Sequence, residues 1–112
     1  MARRLLLGRA QAACSIRVSE CETGFLERVA LAANAYGQAA VVARASAPAV
    51  ARGMRVAAGH ARAALRACTK YRNVILARAQ YDAACTVARN TRERHPDVFE
   101  RISRLVGVTI PL

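Results

Sequence analysis

The 112-residue chain carries 18 Lys and Arg against 7 Asp and Glu, a net charge of +11, while 54% of its residues are hydrophobic. That length holds one small domain or an extended helical unit and excludes a catalytic domain with a second module beside it. So large an excess of base predicts an anionic partner, whether RNA, anionic lipid or an acidic protein face.

Ala and Arg dominate the composition. Lys70 is the single lysine, Trp is absent, and the aromatics are Phe25, Tyr36, Tyr71, Tyr81 and Phe99. Strong helix formers fill most positions, which predicts an all-α fold. From Arg28 to Tyr81 the sequence has nine basic residues and no Asp or Glu. Freestanding soluble proteins intersperse both signs, so this stretch reads as a surface neutralised by partners.

In chain order, residues 1–18 come first as an Arg-rich, acid-free segment whose Leu and Ala positions can form one apolar helix side. It resembles a mitochondrial targeting segment, and it reads equally as a plain basic helix; the Leu5–Leu7 core is too short for a secretory signal. Residues 19–112 form a single unit. Ser19 and Glu22 make the S-x-x-E pattern of a helix start, and a first helix is expected over about 24–45. Within it Phe25, Val29, Ala32, Tyr36, Ala40 and Ala43 recur at intervals of three or four, a continuous helical stripe. The longest uncharged stretch, 29–43, falls short of the roughly 20 residues that span a bilayer, so no transmembrane helix is expected.

Ser46-Ala47-Pro48 marks a tight turn, with Pro48 suited to the first turn of the next helix. Only Gly53 and Gly59 weaken the pattern before Pro96, which predicts one helix over about 47–93, roughly 70 Å long at 1.5 Å per residue. The first helix covers about half of that, leaving Val74, Ile75, Leu76, Tyr81 and Val87 for a partner. His95-Pro96-Asp97 opens a short helix at 96–106 with Val98, Phe99, Ile102, Leu105 and Val106 on its apolar side and Gly107 as its cap. The tail VTIPL should be extended, inserted into a neighbour's groove or disordered. The expected architecture is an extended antiparallel helical hairpin with one very long helix and a short C-terminal helix.

On a helical projection Arg52, Arg55, Arg62, Arg66 and Lys70 fall within about 80° of one another, opposite Val50, Met54, Ala57, Ala61, Ala64, Cys68, Tyr71 and Ile75. Small residues at that spacing permit close helix packing. The basic row reads as a solvated face, as a phosphate-binding face, since Arg forks match phosphate bidentately, or as a dock for an acidic protein face or anionic headgroups. RNA-binding surfaces usually interleave aromatics, and this row has one Tyr beside it.

Cysteines at 14, 21, 68 and 85, with His60 and His95, do not match a metal-knuckle spacing, so no metal is expected. Antiparallel pairing about residues 46–48 sets Cys21 near Cys68 and leaves Cys14 and Cys85 as an outer pair. Such nesting resembles the disulfide-linked helical hairpins of the mitochondrial intermembrane space, whose regular cysteine spacing this sequence lacks; free thiols packing as small apolar groups are the alternative. No Gly-rich phosphate loop or Ser/His/Asp set occurs, and the acids cluster beside bases, so neither catalysis nor a cofactor is expected. Glu93 with Arg94 and Glu100 with Arg104 read as helix-surface pairs.

Together these features predict a non-catalytic accessory subunit of a mitochondrial inner-membrane assembly, a respiratory-chain complex or the ATP synthase, whose partners are other protein subunits and anionic headgroups. The alternative is a mitochondrial ribosomal protein holding rRNA on the same face.

Overall fold

A computed structural model describes residues 24–112. Among these the chain forms four helices and no strand: α1 (Gly24–Ala43), α2 (Pro48–Thr69), α3 (Val74–Arg94) and α4 (Pro96–Val106). Apolar periodicity accounts for α1, because Phe25, Val29, Ala32, Tyr36, Ala40 and Ala43 are all buried, with Ala35 and Ala39 widening the stripe. The turn at 44–47 is short, and Pro48 enters α2 where its missing N–H is no loss. Ala47 is the residue before α2, and no side chain caps that end.

The single helix expected over 47–93 is broken. Residues 70–73 reverse the chain, so α2 and α3 are about equal in length and lie against each other. Three local features make the corner. Arg72 adopts a left-handed backbone (φ 52°), a conformation that ends helices. The Asn73 N–H donates to the Ala67 carbonyl at 2.8 Å, and the Asn73 side chain accepts from Leu76 N–H at 3.0 Å, capping α3. The length mismatch that called for a partner along Val74–Val87 therefore disappears. Val74 is buried, Tyr81 and Val87 pack against the core, and only Ile75 and Leu76 of that group stay exposed. Tyr71 and Ile75, placed by projection on the packed side of a continuous helix, are exposed instead because the helix ends before them.

Helix α2 is the central element, packing along both α1 and α3. Its buried positions are mostly alanine: Ala51, Ala57, Ala58, Ala61, Ala64 and Ala67. An alanine methyl contributes only about 0.8 kcal/mol on burial, but it lets backbones approach closely enough to gain dispersion along the whole seam. Larger groups join α1 to α3. The Phe25 and Tyr81 rings meet edge to face at 5.8 Å and 83°, and the guanidinium groups of Arg28 and Arg78 stand 5.9 and 5.7 Å from the Phe25 ring centre.

The short last helix follows the expected bounds. Phe99 and Ile102 are buried against α1 and α3, Gly107 ends the helix in the left-handed region (φ 78°), and Leu105 points to solvent. The tail after it corrects the expectation of insertion into a neighbour: it folds onto its own chain. Ile110 is buried, and the Tyr36 hydroxyl donates to the Pro111 carbonyl at 2.6 Å.

Candidate docking surface

Arg52, Arg55, Arg62, Arg66 and Lys70 are all exposed along α2, but the flanking helices divide them. Arg55 and Arg62 lean toward α1 and, with Arg44 just beyond that helix, line a groove of about 170 Å³ floored by Gly37, Ala40 and Ala58. Arg52 lies on the other flank, in a groove of about 350 Å³ shared with Arg94 and His95 of the α3 end. Arg66 lies in the last turn of α2, where a cation complements the carbonyl ends of the helix. Lys70 sits beyond that turn with its ammonium 5.5 Å from the Tyr71 ring centre. What the projection put in one row is thus two clusters and an end group.

Acidic neighbours are scarce. The ion pair formed within the described residues is Arg104 with Glu100 at 3.2 Å, both exposed, a contact worth about 0.3–0.5 kcal/mol. No carboxylate answers Arg44, Arg55 or Arg62 among the described residues. Three like charges around one groove repel one another and keep their solvating water, so an incoming anion gains from all three.

Beside this basic groove, and sharing Gly37, Val41 and Arg62 with it, runs a larger groove of about 690 Å³ whose walls come from α1, α2 and α4. Val41, Val42, Leu65 and Leu105 line it, with Asn34, Gln38 and Arg62 as its polar members. Val41 and Leu105 are each 66% exposed, so this is apolar surface held open to water. Sequence reading missed Arg44, Gly37 and the Leu65 and Leu105 walls. A helical projection treats one helix at a time, and this surface exists only where three helices meet.

The opposite seam of α2 is closed. His60 Nδ1 and Gln80 Oε1 are 2.7 Å apart across α2 and α3, so His60 is an interhelical partner. A methyl group at Gly53 would collide with Thr91 Oγ1 and lie 3.1 Å from Thr91 Cβ. Thr91 returns its hydroxyl proton to the Val87 carbonyl at 2.8 Å, which satisfies this buried polar side chain within α3.

Cys68 is buried and disulfide-bonded. Cys14 and Cys21 lie outside the described residues, as do the segment 1–18 and the Ser19–Glu22 helix start. Cys85 is a free, buried thiol, packing as a small apolar group and not in an outer bridge with Cys14. It sits 3.8 Å from the Tyr36 hydroxyl; the single phenol proton goes to the nearer Pro111 oxygen. Burial, then the Cys85 contact, pushes the Tyr36 phenol far above its ordinary value, and burial raises Tyr81 as well. Tyr36 and Tyr81 thus keep their protons and serve as structural partners.

Among the described residues no three of His, Cys, Asp and Glu come together in a way that could hold a metal, and no helix is long and apolar enough to cross a membrane. No protein-family model, curated protein or solved structure matches the chain.

Proposed function

We propose that the chain is a non-catalytic accessory subunit of a large mitochondrial membrane assembly, a respiratory-chain complex or the ATP synthase, docked through its basic face. The observation that supports this reading is the adjoining pair of grooves over α1 and α2. One is ringed by Arg44, Arg55 and Arg62 without a carboxylate among the described residues, and the other is an exposed apolar trough. Specific interfaces combine an apolar centre with charged groups that steer and register the partner. An isolated protein gains nothing from holding both open to water. The mitochondrial assignment rests on the Arg-rich, acid-free residues 1–18.

Detergent-solubilised mitochondrial membranes, separated in native form, test the reading. The tagged chain should migrate with a membrane complex, and Arg55→Ala with Arg62→Ala should release it. Recovery of the chain in ribosomal particles instead would support the second reading, an rRNA-binding ribosomal protein. That reading draws on Tyr71, which is 61% exposed between Lys70 and Arg72, a composition suited to stacking on an unpaired base.

A further inference from the structure

The two adjoining grooves share Gly37, Val41 and Arg62, so they form one continuous surface with a basic end and an apolar trough. Along α1 that surface runs from Ala33 to Val42, about 14 Å or two and a half helical turns at 1.5 Å per residue, and continues to Arg44 beyond the helix. Its occupant must present negative charge at one end and apolar side chains over the rest.

A single acyl chain with an acidic head meets the charge requirement but not the shape. Lipid and small-molecule sites enclose most of the ligand, whereas Val41 and Leu105 remain two-thirds exposed, leaving a bound chain largely in water. Asn34 and Gln38 interrupt the trough with amide groups, which an acyl chain cannot pair. Insertion of this face into a bilayer is disfavoured by the same amides and by the lack of an aromatic residue among the groove walls. A helix, by contrast, arrives with its backbone already satisfied, fits a trough of this length with two or three apolar side chains at helical spacing, and can offer carboxamide or hydroxyl partners to Asn34 and Gln38.

We infer that this composite groove is the seat of an amphipathic α-helix from a partner protein, its apolar side on Val41, Val42, Leu65 and Leu105 and its acidic side chains on Arg44, Arg55 and Arg62. This rests on the docking role proposed above and adds the class of partner. Each Arg fork takes a carboxylate bidentately, and the cluster sets the direction in which the helix lies. Gly37 marks the crossing point: a Cβ there meets no atom within 4 Å, so the floor is open and a side chain would fill space that the incoming helix needs.

The full chain, purified, would be titrated by fluorescence anisotropy against a labelled designed helix of Leu and Glu with Leu at i, i+3, i+4 and i+7, and against a peptide of the same composition with that spacing scrambled. The spaced helix should bind at least tenfold more tightly than the scrambled one. Gly37→Leu, with thermal melting as the fold control, should weaken it at least tenfold. The triple change Arg44→Ala, Arg55→Ala and Arg62→Ala, all at exposed positions, should do the same and flatten the salt dependence. Equal binding of the two peptides, or unimpaired binding by folded Gly37→Leu, overturns the inference. So does tighter binding of phosphatidylglycerol vesicles or of polyuridylate RNA that Gly37→Leu abolishes. Loss of the helix site with continued Arg-dependent migration in a membrane complex would sink this inference and leave the accessory role standing. Helix binding by a chain found in no such complex would do the reverse.

Discussion

The two flanks of α2 carry similar residues and are built in opposite ways. On the α3 side a glycine, Gly53, meets Thr91 so closely that even a methyl group does not fit, and His60 and Gln80 close the seam with a hydrogen bond. Near the α1 side another glycine, Gly37, opens onto a groove in which a methyl group would touch nothing, with Arg44, Arg55 and Arg62 along the rim. One glycine is required by contact within the chain; the other leaves room that the described residues do not use. Identical residue types thus carry opposite meaning, and substitution separates them.

The largest effect should come from the closed flank. Gly53→Ala gains about 1 kcal/mol of helix propensity but imposes overpacking strain of about 1–3 kcal/mol against Thr91, because the colliding Oγ1 is held by its hydrogen bond to the Val87 carbonyl and Cγ2 crowds the same space. A net loss of up to ~2 kcal/mol is expected in denaturant unfolding. Removing the Thr91 hydroxyl and methyl with Thr91→Ala should restore most of it in the double variant, a non-additivity that independent sites would not give.

Next in size is the link between α1, α3 and the tail. Tyr36→Phe removes the hydrogen bond to Pro111 and should lose about 1 kcal/mol, with faster amide exchange through residues 108–112. Its pH signature is on the alkaline side. Burial raises the Tyr36 phenol, so the folded protein keeps a proton that the unfolded chain releases above about pH 10. Stability is therefore full below pH 10 and falls above it, and the fall should be shallower in Tyr36→Phe. An equal alkaline slope in the two proteins would contradict that assignment.

The open flank predicts a change of the other sign. Gly37→Ala should raise stability by about 0.5–1 kcal/mol, since it relieves the entropy of a mid-helix glycine without any clash. Should it destabilise like Gly53→Ala, the contrast between the flanks fails. Smallest of all, Arg55→Ala and Arg62→Ala should shift stability by less than about 0.5 kcal/mol. The unfolding midpoint should also respond less to added salt, because like charges around the groove repel in the folded state.

What could be read from the sequence follows from the range of each signal. The α1 stripe and the 96–106 helix were legible because short-range rules govern them: apolar residues at three and four, Pro96 at the start, Gly107 at the end. The corner at 70–73 was not, since it uses neither Gly nor Pro and leaves a left-handed arginine between two good helices. The usable sign was Asn73 directly before the Val74-Ile75-Leu76 run, a strong capping residue ahead of apolar positions. Missing it turned three comparable helices into two unequal ones and assigned to a partner the surface that α3 covers itself. The basic row was legible as exposed Arg positions, but its division between two flanks depends on α3 folding back, and the apolar groove beside Arg62 depends on three helices at once. The tail's anchor, Tyr36 to Pro111, spans 75 residues, beyond any local pattern.

The corner at Lys70–Asn73 also bears on how the molecule is assembled in time. With the chain reversing there as well as at 44–47, each long helix packs mainly on its neighbour in sequence, and each connection closes only a few residues. Short closures are entropically cheap, and helical proteins dominated by such local contacts fold in microseconds to milliseconds. An unbroken helix of the same sequence would instead have left α3 searching for a surface in another molecule. Four residues therefore make the meeting of α2 and α3 a unimolecular step, independent of protein concentration.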